Sequence, residues 1–197
     1  MREGNYFHFQ GRFFSQKQGA PMGSSLSPVL AELFMQDLEE KAFSATVRKF
    51  PIKIFKRYVD DIFAVIQRGS EQLFLDHLNS LFPGTIVFTM EIEQHGRLPF
   101  LDTLLIRKGA NISSHVYRKP TNTEQFIHYT SNYPLGVKRE LITGMVDRAY
   151  YLCDPQNLER ELLYIKTVLR RNGYPHHTLD STLARRLQHL NNTGDTP

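Results

Sequence analysis

The chain has 197 residues, 41% hydrophobic and 22% charged, with 12 Gly, 10 Pro and one Cys; this fits one globular domain or one plus a small appendage and excludes a disordered tail, a collagen and a coiled coil. No apolar run approaches the length of a membrane span, Cys153 has no partner for an internal disulfide, and residues 1–6 lack the apolar core of a signal peptide. These features point away from a membrane and toward a reducing, intracellular compartment. The net charge of +4 is uneven: residues 1–105 carry eleven Lys/Arg against twelve Asp/Glu, and residues 106–197 carry thirteen against eight. A basic second half suits a polyanion, although a solvated helix surface gives the same count.

Tyr6, Phe7 and Phe9, then Phe13 and Phe14, flank Gln10-Gly11-Arg12 and predict a hairpin. Gln18-Gly19-Ala20-Pro21-Met22-Gly23-Ser24-Ser25-Leu26-Ser27-Pro28 follows, with Ser27 as the expected cap and Pro28 in the first turn of a helix. Val29, Leu30, Leu33, Phe34 and Leu38 recur at helical spacing to about Ala45, opposite Glu32, Gln36, Glu39, Glu40 and Lys41. Residues 52–59 and 62–66 predict two strands joined by Asp60-Asp61 alone. A helix over Glu71–Leu81 precedes Pro83-Gly84 and a strand over residues 85–93. Another strand pair is expected over residues 101–106 and 112–117, around Lys108-Gly109-Ala110-Asn111. The first 117 residues therefore predict an α+β fold, an antiparallel sheet with two covering helices.

After Pro120 the pattern is helical, so residues 118–130 are a candidate linker. Leu141, Ile142, Met145, Val146 and Ala149 predict a helix from about Pro134. Leu158, Leu162, Ile165 and Leu169 predict a second after Asp154-Pro155, stopped by Asn172-Gly173, and Leu183, Leu187 and Leu190 a third, shorter one. The expected unit spans residues 131–190 with a frayed tail at 191–197. Its exposed faces are expected to hold Lys138, Arg139, Arg148, Lys166, Arg170, Arg171, Arg185 and Arg186.

Three features bear on chemistry. Tyr58-Val59-Asp60-Asp61 places two adjacent carboxylates where a two-residue hairpin turn prefers Asn-Gly or Asp-Gly. Such a pair either binds a hard cation such as Mg²⁺ or is a solvated turn. Residues 18–28 offer two glycines, the hydroxyls of Ser24 and Ser25 and a helix start, without the Lys-Ser/Thr of a P-loop. The segment reads as a phosphate-side loop or as a plain cap. Arg48, Lys49, Lys53, Lys56 and Arg57 put five positive charges before the turn, on the face opposite Ile52 and Ile54, and read as solvated. The eight histidines show no Cys/His metal spacing, His176-His177 reads as a solvated turn, and Cys153 as buried or inert.

In order, these pieces resemble the palm of a reverse transcriptase: Gln18 to Pro28 is similar to the family's substrate-side loop and helix, and Tyr58 to Asp61 to its metal-binding turn. Leu98-Pro99-Phe100-Leu101-Asp102, Val116-Tyr117-Arg118-Lys119-Pro120-Thr121 and Ser131-Asn132-Tyr133-Pro134 with Lys138-Arg139 look most like Penelope-like retroelements, whose segment after the palm is described as thumb or helix-turn-helix. The resemblance implies a partial palm over residues 1–117, a small three-helix thumb-like domain, and two-metal nucleotidyl transfer to a primer 3′-hydroxyl with Mg²⁺ or Mn²⁺. Asp60 and Asp61 would be the catalytic metal ligands, and Tyr58 and Val59 would line the primer side. Gln18, Gly19, Pro21, Met22, Gly23 and Ser24 would meet template and dNTP. Arg118, Lys119, Lys138 and Arg139 would hold the backbone of an RNA/DNA hybrid formed by RNA template and DNA primer. A retroelement polymerase implies the nucleus.

The sequence also departs from that family. Its members place a further aspartate and a fingers region before the loop that starts here at Gln18, and the seventeen preceding residues contain no Asp. The expectation is a C-terminal part of a palm plus thumb that does not extend a primer alone and needs an N-terminal polymerase region; the endonuclease common at the far end of such proteins is not expected in these residues. The alternatives are a non-catalytic nucleic-acid-binding module and an inactive retroelement remnant.

Overall fold

The computed structural model describes residues 6–16, 19–20, 23–44 and 51–193, and the fold is α+β with three small antiparallel sheets and five helices among them. The chain packs as two compact units, residues 1–90 and 91–197.

In the first unit, β1 (Tyr6–Phe9) and β2 (Arg12–Ser15) form the expected hairpin, with φ positive at both Gln10 and Gly11, as a type I′ turn requires. Phe7 lies opposite Phe14, and their rings stack at 5.3 Å. Helix α1 (Leu26–Ser44) begins before Ser27, so Ser27 lies inside the first turn. The hydroxyl of Ser24, two residues ahead of the helix, accepts the Leu26 N–H at 3.3 Å. Helix α2 (Glu71–Leu81) has the expected bounds. Met35, Leu38 and Ala42 of α1 pack with Phe74 and Leu78 of α2 to form the core of this unit.

That core stripe differs from the expected one. Leu38 is fully buried, but Leu26, Val29, Leu30 and Leu33 are exposed. At 100° per residue, Leu26 and Leu33 lie roughly half a turn round the helix from Met35. The apolar positions of α1 thus form two faces, which the sequence reading merged into one.

Strands β3 (Ile52–Tyr58) and β4 (Asp61–Ile66) pair antiparallel, with a register irregularity between Ile52 and Ile54. An irregularity resets the alternation: Ile54 faces outward, and Arg57, expected with the solvated cations, turns inward instead. The strand expected over residues 85–93 does not form. The Asn79 side chain satisfies Phe88 instead, accepting its N–H at 2.7 Å and donating to its carbonyl at 3.2 Å. Ile86 and Phe88 still pack against the core.

In the second unit, β5 (Arg97–Phe100), β6 (Thr103–Lys108) and β7 (Asn111–Val116) form a sheet in that order. β5 was not expected as a strand. This sheet packs with the helices that follow it, so the division falls near residue 90, whereas the change in sequence pattern falls at 118–130. Helices α3 (Leu135–Leu152), α4 (Pro155–Arg171) and α5 (His176–Thr193) bury Ile142, Val146, Ala149, Ile165, Leu169, Leu179, Leu183 and Leu190 around Tyr174. α5 is as long as α3, and His176-His177 form its first turn rather than a loop. It runs into the region expected as frayed tail, up to Thr193.

Two polar latches hold this unit. The free edge of β7 meets the start of α4: Ser114 N–H donates to Asp154 Oδ2 at 2.9 Å, and the Ser114 carbonyl accepts from Asp154 N–H at 3.0 Å and Asn157 Nδ2 at 3.1 Å. The edge groups that would otherwise template another strand are thereby occupied. Asn172 ends α4 and also anchors residues 118–130. Its Oδ1 accepts the Phe126 N–H, its Nδ2 donates to the Glu124 carbonyl and its own carbonyl accepts the Tyr129 N–H, each at 3.0 Å. Among the described residues no helix is long and apolar enough to cross a membrane.

Candidate nucleic-acid interface and carboxylate turn

The β3–β4 connection is Val59-Asp60, because Tyr58 pairs with Asp61 across the hairpin; Asp61 is the first residue of β4, not the second residue of the turn. Val59 has φ +56 while Asp60 remains at negative φ, the pattern of a type II′ turn, whose first central position favours Gly. A β-branched residue in that conformation is strained. Tyr58, Val59, Asp60 and Asp61 are all exposed.

Arg57 fixes the base of this turn. Its guanidinium donates to Glu32 at 2.8 and 3.0 Å, to Glu39, and to the Val59 carbonyl at 3.1 Å. Its side chain is only 10% exposed. The Arg57 hydrogen bond holds the Glu32 carboxyl below its usual range, and the two carboxylates raise the Arg57 guanidinium above its own. Sequence reading placed Glu32 and Glu39 on a solvated face and missed this clamp. The only available signal was an i, i+7 carboxylate pair on a helix followed by a basic strand.

Of the expected loop residues, Gln18, Pro21 and Met22 lie outside the described residues. Gly19 and Gly23 have φ +81 and +88, and Ser24 meets the start of α1. Asp60 and Asp61 supply carboxylate oxygens of the kind Mg²⁺ prefers, but among the described residues no group of three or more His, Cys, Asp or Glu side chains is arranged to hold a metal. Two carboxylates on one turn do not by themselves constitute a two-metal centre, which needs a further ligand.

The expected backbone-binding residues in the second unit fall into two groups. Arg118 pairs with Glu161 and lies over the Tyr164 ring at 3.8 Å. Burial opposes its charge, but the Glu161 hydrogen bond prevails and raises its pKa. Lys138, expected at the surface, is 5% exposed: its Nζ donates to the Ser131 carbonyl at 2.7 Å and lies 5.4 Å from the Tyr129 ring. Lys119 and Arg139 are exposed. Several cations of the expected exposed faces are also paired within the unit: Arg148 with Asp102, Lys166 with Asp180, Arg171 with Glu124, and Arg186 with Asp147.

Helices α4 and α5 are joined by four residues, Asn172-Gly173-Tyr174-Pro175, and α3 packs against both. Gly173 is required there. Its φ is +83, and a Cβ on it would approach the His128 ring to 2.7 Å. Two helices joined by a short glycine-containing turn and backed by a third helix are the arrangement of a helix-turn-helix. No curated protein and no solved structure matches the chain at a significant level. Residues 125–184, which take in α3, α4 and the first half of α5, match the family model described as the animal helix-turn-helix domain.

Proposed function

We propose that the chain is a nucleic-acid-binding protein that works through its second unit. The observation that carries this reading is the helix-turn-helix match over residues 125–184, which falls on a packed three-helix unit. A basic second half adds support, because cations that neutralise phosphates release counterions and make affinity depend on salt. The test is fluorescence anisotropy of a labelled duplex DNA, an RNA/DNA hybrid and a single-stranded RNA with residues 1–197 across a KCl series. A steep linear fall of log K with log salt is expected, unchanged by Asp60→Ala. Absent or salt-insensitive binding overturns the reading.

The Val59 conformation favours a second reading, because a strained backbone beside two exposed carboxylates is characteristic of functional turns. In it, the first unit is part of an RNA-directed DNA polymerase of Penelope-like type. Asp60 and Asp61 then contribute to an Mg²⁺ or Mn²⁺ centre whose remaining ligand lies on a polymerase region outside the described residues. RNA template, DNA primer and dNTP are the partners, and the nucleus is the compartment. Residues 1–197 alone are expected not to extend a primer on an RNA template. Extension by this chain alone, abolished by Asp60→Ala, would show that the centre is complete within it.

A further inference from the structure

Resting on the nucleic-acid reading above, we infer that the phosphate-contacting surface of the second unit is the seam between the β5–β7 sheet and the outer face of α4. Arg97, Lys108, Arg160 and Arg170 are its contact residues, and the duplex sugar–phosphate backbone is its ligand.

The inference begins from which cations are available. Seven of the fourteen basic side chains in residues 91–197 are paired with carboxylates or buried. Arg107 pairs with Glu93, Arg118, Arg148, Lys166, Arg171 and Arg186 pair with carboxylates, and Lys138 is buried. Of the other seven, Arg97, Lys108, Lys119, Arg139, Arg160 and Arg185 are exposed and make no ion pair among the described residues, and Arg170 is bonded to His176 rather than to a carboxylate; Arg97, Lys108, Arg160 and Arg170 are the ones that share a surface.

The four residues lie along one seam. Sheet register puts Arg97 opposite Ile106 and Ile106 opposite Ser113, so Arg97 shares a face with Ser113 and, two residues on, with His115. Burial, then the charges of Arg160, Arg97 and Arg118, hold the His115 imidazole below its ordinary pKa, while the opposing Glu161 is already taken by Arg118. Arg97 of β5 and Arg160 of α4 therefore both act on the same point of β7. Lys108 lies at the tip of β6–β7 and lines a groove of about 430 Å³ with Asn111, Ser113, Gln156 and Asn157.

From that groove α4 continues the surface. Gln156, Arg160, Leu163, Thr167 and Arg170 are exposed at spacings of three and four, one face of a helix. Arg170 then borders a second hollow of about 190 Å³ with Lys166, His176 and Asp180 at the start of α5. From Gln156 to Arg170 the axis rises about 21 Å, the rise of roughly six base pairs. Glu159 is an acidic neighbour of this face, and Asp154, whose carboxylate accepts from Ser114, lines the groove. In a helix-turn-helix the first of the two helices crosses the backbone, and α4 occupies that position.

The test compares two pairs of substitutions in the full chain, Arg97→Ala/Arg160→Ala on the seam and Arg68→Ala/Arg185→Ala outside it, titrated into labelled duplex DNA across a KCl series. All four side chains are exposed and make no ion pair among the described residues, so thermal unfolding is expected to be unchanged in both variants. The seam pair is expected to lose affinity about 10- to 100-fold at low salt and to reduce the log–log salt slope by about 1.8, two phosphate contacts at about 0.9 each. The off-seam pair is expected to leave the slope unaltered. Lys108→Ala/Arg170→Ala is a second, independent seam pair with the same expectation. A wild-type slope in both seam variants, or loss of slope in the off-seam pair, overturns this assignment while leaving nucleic-acid binding intact. No salt-dependent binding by the wild type overturns the parent reading itself.

Discussion

The two units treat apolar surface differently. In residues 91–197, three helices close a continuous core, and Ser114 on the edge of β7 and the ends of α4 have polar partners. In residues 1–90, α1 buries one face and leaves Leu26, Val29, Leu30 and Leu33 exposed on another, and the β1–β2 hairpin leaves all five of its aromatics exposed. Amphipathic periodicity is thus used over most of the helical unit, with Leu163 and Leu135 left exposed, and half used on α1. Stability is therefore expected to concentrate in the helical unit, whereas the strained turn and its carboxylates are carried by the unit whose described residues form the smaller core.

The largest expected effect comes from cutting into the better core. Ile142→Ala, at a fully buried site, is expected to cost about 2–5 kcal/mol in urea denaturation. Leu33→Ala, at a residue 57% exposed, is expected to stay within about 0.5 kcal/mol. Comparable losses would erase the contrast between the units. Next in size is Gly173→Ala, which meets both a left-handed backbone and the His128 ring, with an expected loss of about 1–3 kcal/mol seen as a lower Tm. A smaller change is expected at the strained turn: Val59→Gly removes the unfavourable side chain at φ +56 and is expected to stabilise the first unit by about 1 kcal/mol. A loss on this substitution would show that the Val59 side chain, 57% exposed, contributes packing.

Cys153 sharpens the contrast without altering the protein. It is buried in the second unit, and burial raises its thiol pKa. Only the thiolate reacts readily, so Ellman's reagent is expected to label it slowly at pH 8, at the rate at which that unit opens. The unfolded thiol ionises first as pH rises through its ordinary range, so the burial of Cys153 contributes progressively less stability above it. Rapid labelling in the native state would show that the second unit opens more easily than its core implies.

Much of this was legible in the sequence for a definite reason. Helix ends marked by Pro134, Asp154-Pro155 and Asn172-Gly173 were readable because these residues act locally. Likewise Gln10-Gly11 fixed its own hairpin. The misses were non-local. Reading Val29 to Leu38 as one stripe failed because periodicity does not say which of two apolar faces finds a partner. The expected strand at 85–93 had the right residues but no neighbouring strand, only Asn79. At the turn, the motif was visible but its register was not, since the irregularity at Ile52/Ile54 and the Val59 conformation depend on pairing across the hairpin. Lys138 looked like a surface cation because its stem and charge find Tyr129 and the Ser131 carbonyl, which lie in a segment with no helical pattern.

Asn172 has a consequence for how the molecule breathes. One residue joins the end of α4, the turn into α5 and the strap at residues 124–129. The strap has neither helix nor strand, yet its amide protons at Phe126 and Tyr129 can reach solvent only when that joint lets go. Their deuterium uptake is therefore expected to follow the release of Asn172, so a stretch that looks like a loop is protected by the turn between two helices.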